Sequence, residues 1–242
     1  WELIYMKILI IDSSRNEKSR NRKFSKQLID KLCSKHNLKY INPIKYELLP
    51  CLGCCKCFKN GKCPLDSNVK DNASKIKVML KWSDLVIFNS PVYAHSVSGD
   101  MKILIDRLSY WLHTFELKGR GTILLTTTDT NGGEEHNSYF GKILTGWGLV
   151  KYSEVIFYNS FTGDYEKKLL NDLIEKIDVF DLNNLHSSRE HEAMFTYFKY
   201  IYLNTNDLIY EKQIWKERGY FDKNSFQELL EEGKNVYKKK QG

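Results

Sequence analysis

The chain has 242 residues, of which 42% are apolar and 28% charged, an ordinary globular balance with enough apolar material for one large domain or a domain with an appendage. Its formal net charge of +7 comes from scattered lysines. No basic stripe is interleaved with aromatics, which disfavours nucleic acid and leaves anionic phosphates as natural ligands.

The start, WELIYMKILIIDSS, has neither a basic leader nor a small-residue cleavage site, so a signal peptide is not expected; Met6 is a candidate start, with Trp1 to Tyr5 upstream of it. No run of about 18 apolar residues occurs, so no membrane span is expected, and the thiols are expected in a reducing, cytoplasmic setting. MKILIID (6–12) reads as a buried parallel strand. Residues 17–36 follow as a helix with Phe24, Leu28, Ile29 and Leu32 at helical spacing; Cys33 on it is expected to be a small core residue. A second strand is expected within 38–50, a helix over 68–83, and a strand DLVIFNSPVY that ends at Pro91. Helix 96–113, strand 121–129, helix 134–148 and strand 149–159 continue the alternation, which predicts an α/β, doubly wound, five-stranded parallel sheet. Beyond about Asp164 the pattern turns helical, with Phe195, Tyr197, Phe198, Tyr200, Tyr202, Tyr210 and Trp215 expected on a helix face packed on the core or on a second subunit or, alternatively, over a cofactor pocket. The expected division is a body over 6–163 and a helical C-terminal extension over 164–242.

In such a sheet, ligands sit beyond the carboxyl ends of the strands. The first turn, DSSRNEKSRN, offers hydroxyls from Ser13, Ser14 and Ser19, charge from Arg15, Lys18 or Arg20, and the amides of a helix start, a set suited to a monophosphate. The alternative is that Ser13 or Ser14 merely caps the helix. Neither G-x-G-x-x-G nor G-x-x-x-x-G-K-[ST] is present, which disfavours dinucleotide and triphosphate loops. In NSPVYAHSVSGDMKILIDRL, Pro91, Val92 and Tyr93 would present backbone and an aromatic ring to a flat ligand, with amides near Ser96 and Val97 for its polar atoms. His95 is a weaker candidate contact.

DSSR…S, SPVY…SVSGDMK…IDR and TTTDTNGG, in this order over roughly residues 6–160, resemble the NAD(P)H-dependent FMN reductases of flavodoxin-like fold. The resemblance implies FMN as cofactor, with NAD(P)H as an electron donor. It implies that Ser13, Arg15, Ser19 and Asn21 contact the FMN phosphate, and that Pro91, Val92, Tyr93 and Ser96 contact the ribityl chain or ring. Thr128 with Gly132 or Gly133 would lie along the third flavin loop. Asp12 and Ser14 depart from the family's glycine and proline; a carboxylate there repels phosphate unless it turns away or pairs with Arg15 or Arg20.

CLGCCKCFKNGKC (51–63) holds five of the chain's six cysteines. Cys51, Cys54, Cys57 and Cys63 give C-x2-C-x2-C-x5-C, a run that suits a cuboidal cluster better than the paired spacing of structural zinc; zinc, or free redox-active thiols, are the alternatives, and Cys55 is spare. The loop resembles that of the iron–sulfur flavoproteins within the same family. This resemblance implies a [4Fe-4S] cluster on those four cysteines and an oxidoreductase that relays electrons between FMN and the cluster, to or from a redox partner protein or a small molecule. The alternatives are an NAD(P)H-dependent FMN or quinone reductase without a cluster, and a non-catalytic electron carrier. The family further implies a homodimer or homotetramer, and no residue need act as nucleophile or general base.

Overall fold

A strand covered on both faces has no reason to alternate polar with apolar residues, and the central strands here are continuous apolar runs. In a computed structural model describing residues 5–160, 163–205 and 209–238, five strands form one parallel sheet: β1 (Lys7–Asp12), β2 (Asn37–Ile41), β3 (Leu85–Pro91), β4 (Arg120–Thr128) and β5 (Leu149–Tyr158). Their order is β2-β1-β3-β4-β5, so the order reverses between β1 and β3. The expected upstream segment lies, apart from Tyr5, outside the described residues.

Along β1, Ile8 and Ile10 enter one core with Phe24, Leu28 and Leu32 of α1 (Arg20–Leu32) and Leu173 and Ile177 of α6 (Asp164–Asp178). Leu9 and Ile11 enter a second core, with Ile76 and Leu80 of α3 (Ala73–Trp82), Leu104 of α4 (Gly99–Arg107), and Phe140 and Leu144 of α5 (Gly133–Gly146). Fully burying one such side chain stabilises by about 1.5–3 kcal/mol, so both faces of the sheet are strongly held. A short helix, α2 (Lys56–Asn60), lies within the cysteine loop. The helix expected over 17–36 starts only at Arg20, because Ser19 is its cap and accepts from the Arg22 N–H. Cys33 ends that helix and is exposed, not a core residue: the apolar stripe has already closed at Leu32.

The C-terminal extension continues as α7 (Arg189–Asn204), α8 (Tyr210–Glu217) and α9 (Phe226–Lys238). Phe195, Trp215, Tyr220 and Phe226 are wholly buried in the same core as Ile8 and Ile10, with Phe195 stacked on Trp215 at 5.3 Å. These rings therefore pack the body, whereas Tyr197 and Tyr200 face solvent. The extension closes on the sheet through a backbone contact: a Cβ on Gly119, whose φ is +84°, would fall 2.8 Å from the Cα of Gly233. Among the described residues, no helix is long and apolar enough to cross a membrane.

Candidate active site

At the carboxyl ends of β1, β3 and β4, beside the order reversal, the loops enclose a cleft of about 320 Å³. The first turn contributes Ser14, Asn16, Ser19 and Arg20; the second contributes Pro91, Val92 and Tyr93; the third contributes Thr127, Thr128 and Asp129; Asn159 closes the rim. The Ser14 hydroxyl donates to Ser19 Oγ at 2.9 Å at the start of α1. Arg20, the first residue of that helix, donates to the Asn159 carbonyl and lies 5.8 Å from the centre of the Phe157 ring. Hydroxyls, a guanidinium and the positive helix end thus gather at one end of the cleft, and the Tyr93 side chain stands exposed at another loop of its rim.

Asp12 does not face this cleft. Its carboxylate accepts from the Ser14 N–H at 2.9 Å and from the Tyr40 hydroxyl at 3.0 Å, with Arg22 Nε at 3.5 Å. The partner is Arg22 rather than Arg15 or Arg20, and Arg22 also donates to the Ser14 carbonyl at 2.7 Å. Burial pushes the Asp12 carboxyl up, against the Ser14 amide, Tyr40 and Arg22, which pull it down. The departure from the family's glycine therefore builds the turn from inside and places no charge in the cleft.

The other expected contacts divide between the cleft and the scaffold behind it. Ser13 is buried; its N–H donates to the Asn89 carbonyl at 3.0 Å, and its hydroxyl accepts from Ser98 Oγ at 2.8 Å. Arg15 turns outward to a bidentate pair with Asp100, at 2.8 and 2.7 Å. Asn21 reaches the cleft wall, but its amide donates to Asn89 Oδ1 at 2.7 Å while its oxygen accepts from Thr127. Asn89 also donates to the Asn21 carbonyl at 3.0 Å and to Ser25 Oγ at 2.7 Å, which ties α1 to β3. Sequence reading passed over Asn89; the available signal was a polar residue at the end of an otherwise apolar strand.

Ser96 and Tyr93 exchange both backbone hydrogen bonds at 3.0 Å across a tight turn in which Ala94 and His95 have φ of +49° and +60°. The Ser96 amide is thereby committed to Tyr93. His95 is exposed, 3.8 Å from Glu135. The Thr128 hydroxyl donates to the Asn131 carbonyl, shaping the third loop. Gly132 has φ +78°, and a Cβ there would sit 2.9 Å from Val92 and 3.1 Å from the His95 Cα, so the second and third loops meet only over glycine. Gly133 begins α5 against Ile156, whose Cγ2 would lie 2.8 Å from an added Cβ.

These residues fit FMN. The hydroxyl and guanidinium end suits its phosphate, the Pro91–Tyr93 edge suits its ring, and the one carboxylate in the lining, Asp129, is held by Asn159 Nδ2 at 2.6 Å.

The cysteine loop corrects the cluster expectation. Among the described residues, no three His, Cys, Asp or Glu side chains come together so as to hold a metal ion, so Cys51, Cys54, Cys57 and Cys63 do not form a ligand set for [4Fe-4S] or zinc. The spacing fits, but it does not record the backbone within the run, where Cys55 takes a left-handed φ of +54° and α2 begins directly after it. Cys51, Cys54 and Cys55 are exposed, whereas Cys57 and Cys63 are half-buried. Burial pushes the Cys57 thiol up, and Cys63 and Cys51 add to the shift. The FMN-to-cluster relay falls with that ligand set.

A sequence model of the family described as NADPH-dependent FMN reductase matches residues 6–164. The chain is 28% identical over 177 residues to an iron-sulfur flavoprotein of Archaeoglobus fulgidus, covering 70% of this chain and 79% of the relative. It is 35% identical over 97 residues to an iron-sulfur flavoprotein of Methanocaldococcus jannaschii, covering 40% and 48% of the two chains. In fold it is similar to an NADH:FMN oxidoreductase (TM-score 0.55, 18% identity, 77% of this chain and 93% of the other). It is also similar to an NAD(P)H:quinone oxidoreductase from Methanothermobacter marburgensis (TM-score 0.57, 15% identity, 73% and 100%). The chain belongs to the NADPH-dependent FMN reductase family, flavin- and NAD(P)H-dependent oxidoreductases built on the flavodoxin-like sheet.

Proposed function

We propose that the protein is an NAD(P)H-dependent FMN or quinone reductase whose reaction is confined to the cleft at the carboxyl edge of the sheet. The observation that carries this reading is the convergence of three loops, from β1, β3 and β4, on one cleft with a phosphate-suited end and an aromatic edge. Bound FMN would supply hydride and electron transfer. The chain's own part is positioning. Ser14, Ser19 and Arg20 bind the phosphate, Pro91 to Tyr93 support the ring, and Gly132 lets the third loop close. Ser13 and Asn21 brace these loops, and Arg15 stands at the margin, paired with Asp100. The reading extends to a cytoplasmic setting, supported by cysteines that are all free. It also extends to a homodimer or homotetramer meeting through the exposed Tyr197, Tyr200 and Leu203 of α7, a face also available to a redox partner.

The test replaces Cys51, Cys54, Cys57 and Cys63 together by serine and measures NADPH and NADH oxidation with FMN and a quinone. Turnover within about twofold of wild type is expected. A loss of about a hundredfold with FMN still bound would place the thiols in the electron path and end this reading.

A further inference from the structure

We propose a second ligand site at the opposite, amino edge of the sheet, for a small organic phosphate or pyrophosphate carrying two or more negative charges. A cleft of about 450 Å³ opens there, where the C-terminal helices meet the body. Lys7 and Arg120 come from the starts of β1 and β4, Lys81 from the end of α3, Lys118 from the turn before β4, and Arg218 from the residue that ends α8. Phe115 and Tyr220, both wholly buried, form its apolar floor.

The lining holds a single carboxylate, Glu116, and it is already shared: Arg218 donates to it at 2.7 Å and Lys81 pairs with its other oxygen. Asp84, nearby, accepts the Lys7 backbone N–H at 2.8 Å. The Arg120 guanidinium donates to the carbonyls of Lys118 and Lys81, at 3.1 and 2.7 Å. Lys118 shares its counter-charge with another lysine. Its ammonium lies 4.4 Å from the Tyr220 ring centre and 3.5 Å from Glu232, a carboxylate that also pairs with Lys223. Burial lowers the Lys118 pKa below the usual lysine range; Glu232 opposes the shift, and Arg218 and Lys223 add to it.

Half-buried cations in excess of their counter-charges are costly to hold, and a multiply charged anion removes that cost. Arginine forks favour phosphate oxygens, and the concave shape selects a small molecule over a polymer or a lipid surface. Arg218, Tyr220 and Gly233 of this lining are supplied by the extension, which lies beyond the residues shared with the reductase family.

The test is calorimetric titration of FMN-loaded, full-length protein with inorganic pyrophosphate and, separately, with adenosine 5′-diphosphate, at about 0.15 M salt. One saturable site is expected, with Kd of about 1 mM or tighter, and flavin fluorescence should stay constant throughout. Equal affinities would mean that the diphosphate alone is recognised; tighter adenosine diphosphate binding would mean that the cleft reads a nucleotide. The double variant Lys118→Gln/Arg120→Gln should weaken binding at least about tenfold while the visible flavin spectrum stays unchanged. As a readout needing no variant, pyrophosphate should protect Lys118 from acetylation in the wild-type protein. Absence of saturable binding, release of FMN during the titration, or unprotected Lys118 at saturation would each overturn the proposal.

Discussion

Asp12 shows how far single residues could be read. Its oddity within the first turn was legible, because a carboxylate stands where a phosphate is expected to lie. Its partner was not, since Arg22 lies on the buried face of a helix whose basic residues read as a solvated stretch. Both side chains are almost fully enclosed, so removing one leaves the other as a buried, uncompensated charge. Asp12→Ala is expected to cost about 3–5 kcal/mol in urea unfolding, and Asp12→Asn distinctly less, because the amide still bonds Tyr40 and the Ser14 N–H. Arg20→Gln should behave in the opposite way. Fluorescence titration should show FMN affinity down about tenfold or more, with the unfolding midpoint almost unmoved. Ala94 and His95 make a third case: left-handed backbone at residues with a Cβ costs about 1–2 kcal/mol each. Replacing Ala94 with glycine is therefore expected to raise the unfolding free energy by about 1 kcal/mol while weakening FMN binding through a looser Tyr93 turn.

Among the elements, the parallel strands were the most legible, because a doubly covered strand has a composition of its own. The cysteine loop was the least: spacing records how far apart thiols are along the chain but not the backbone between them, where Cys55 takes a left-handed turn. Nor did the pattern reveal how α7 is fastened. Ser188 caps that helix with His191 in a reciprocal box, the His191 Nε2 lies 3.2 Å from the Leu149 carbonyl, and its ring stacks on Phe226 at 4.4 Å. With Nδ1 accepting the Ser188 N–H, the ring is neutral and its Nε2–H donates. Burial lowers its pKa from 6.5 to about 4, against the Leu149 carbonyl, which favours the charged form. A histidine held below its unfolded value contributes stability above that value and loses it as pH falls from about 6.5 through about 4. The loss should be on the order of 3 kcal/mol in unfolding experiments, and His191→Gln, which keeps a donor and an acceptor, should flatten that limb of the pH profile.

For the molecule as a whole, the sheet and the convergence of three loops on one cleft followed from the order of apolar runs and loops. Whether the C-terminal aromatics served the body or a second subunit did not, since a helix face carries no mark of what covers it. The structure shows Phe195, Trp215, Tyr220 and Phe226 inside the body's own core. Deleting residues after 163 is accordingly expected to abolish cooperative unfolding and to expose dye-binding apolar surface, measurable by near-ultraviolet circular dichroism and ANS fluorescence. The meeting of Lys7 and Gly233 on the walls of one cleft has a further consequence. The start of β1 and the middle of α9 thus meet at the same pole, with the candidate flavin cleft at the far side. A circular permutant in which a flexible linker joins residue 238 to residue 5 and the chain opens at Val69 should fold with FMN affinity unchanged. Val69 is 96% exposed, and Asp66 and Asp71 on either side of it are both anchored to Arg107.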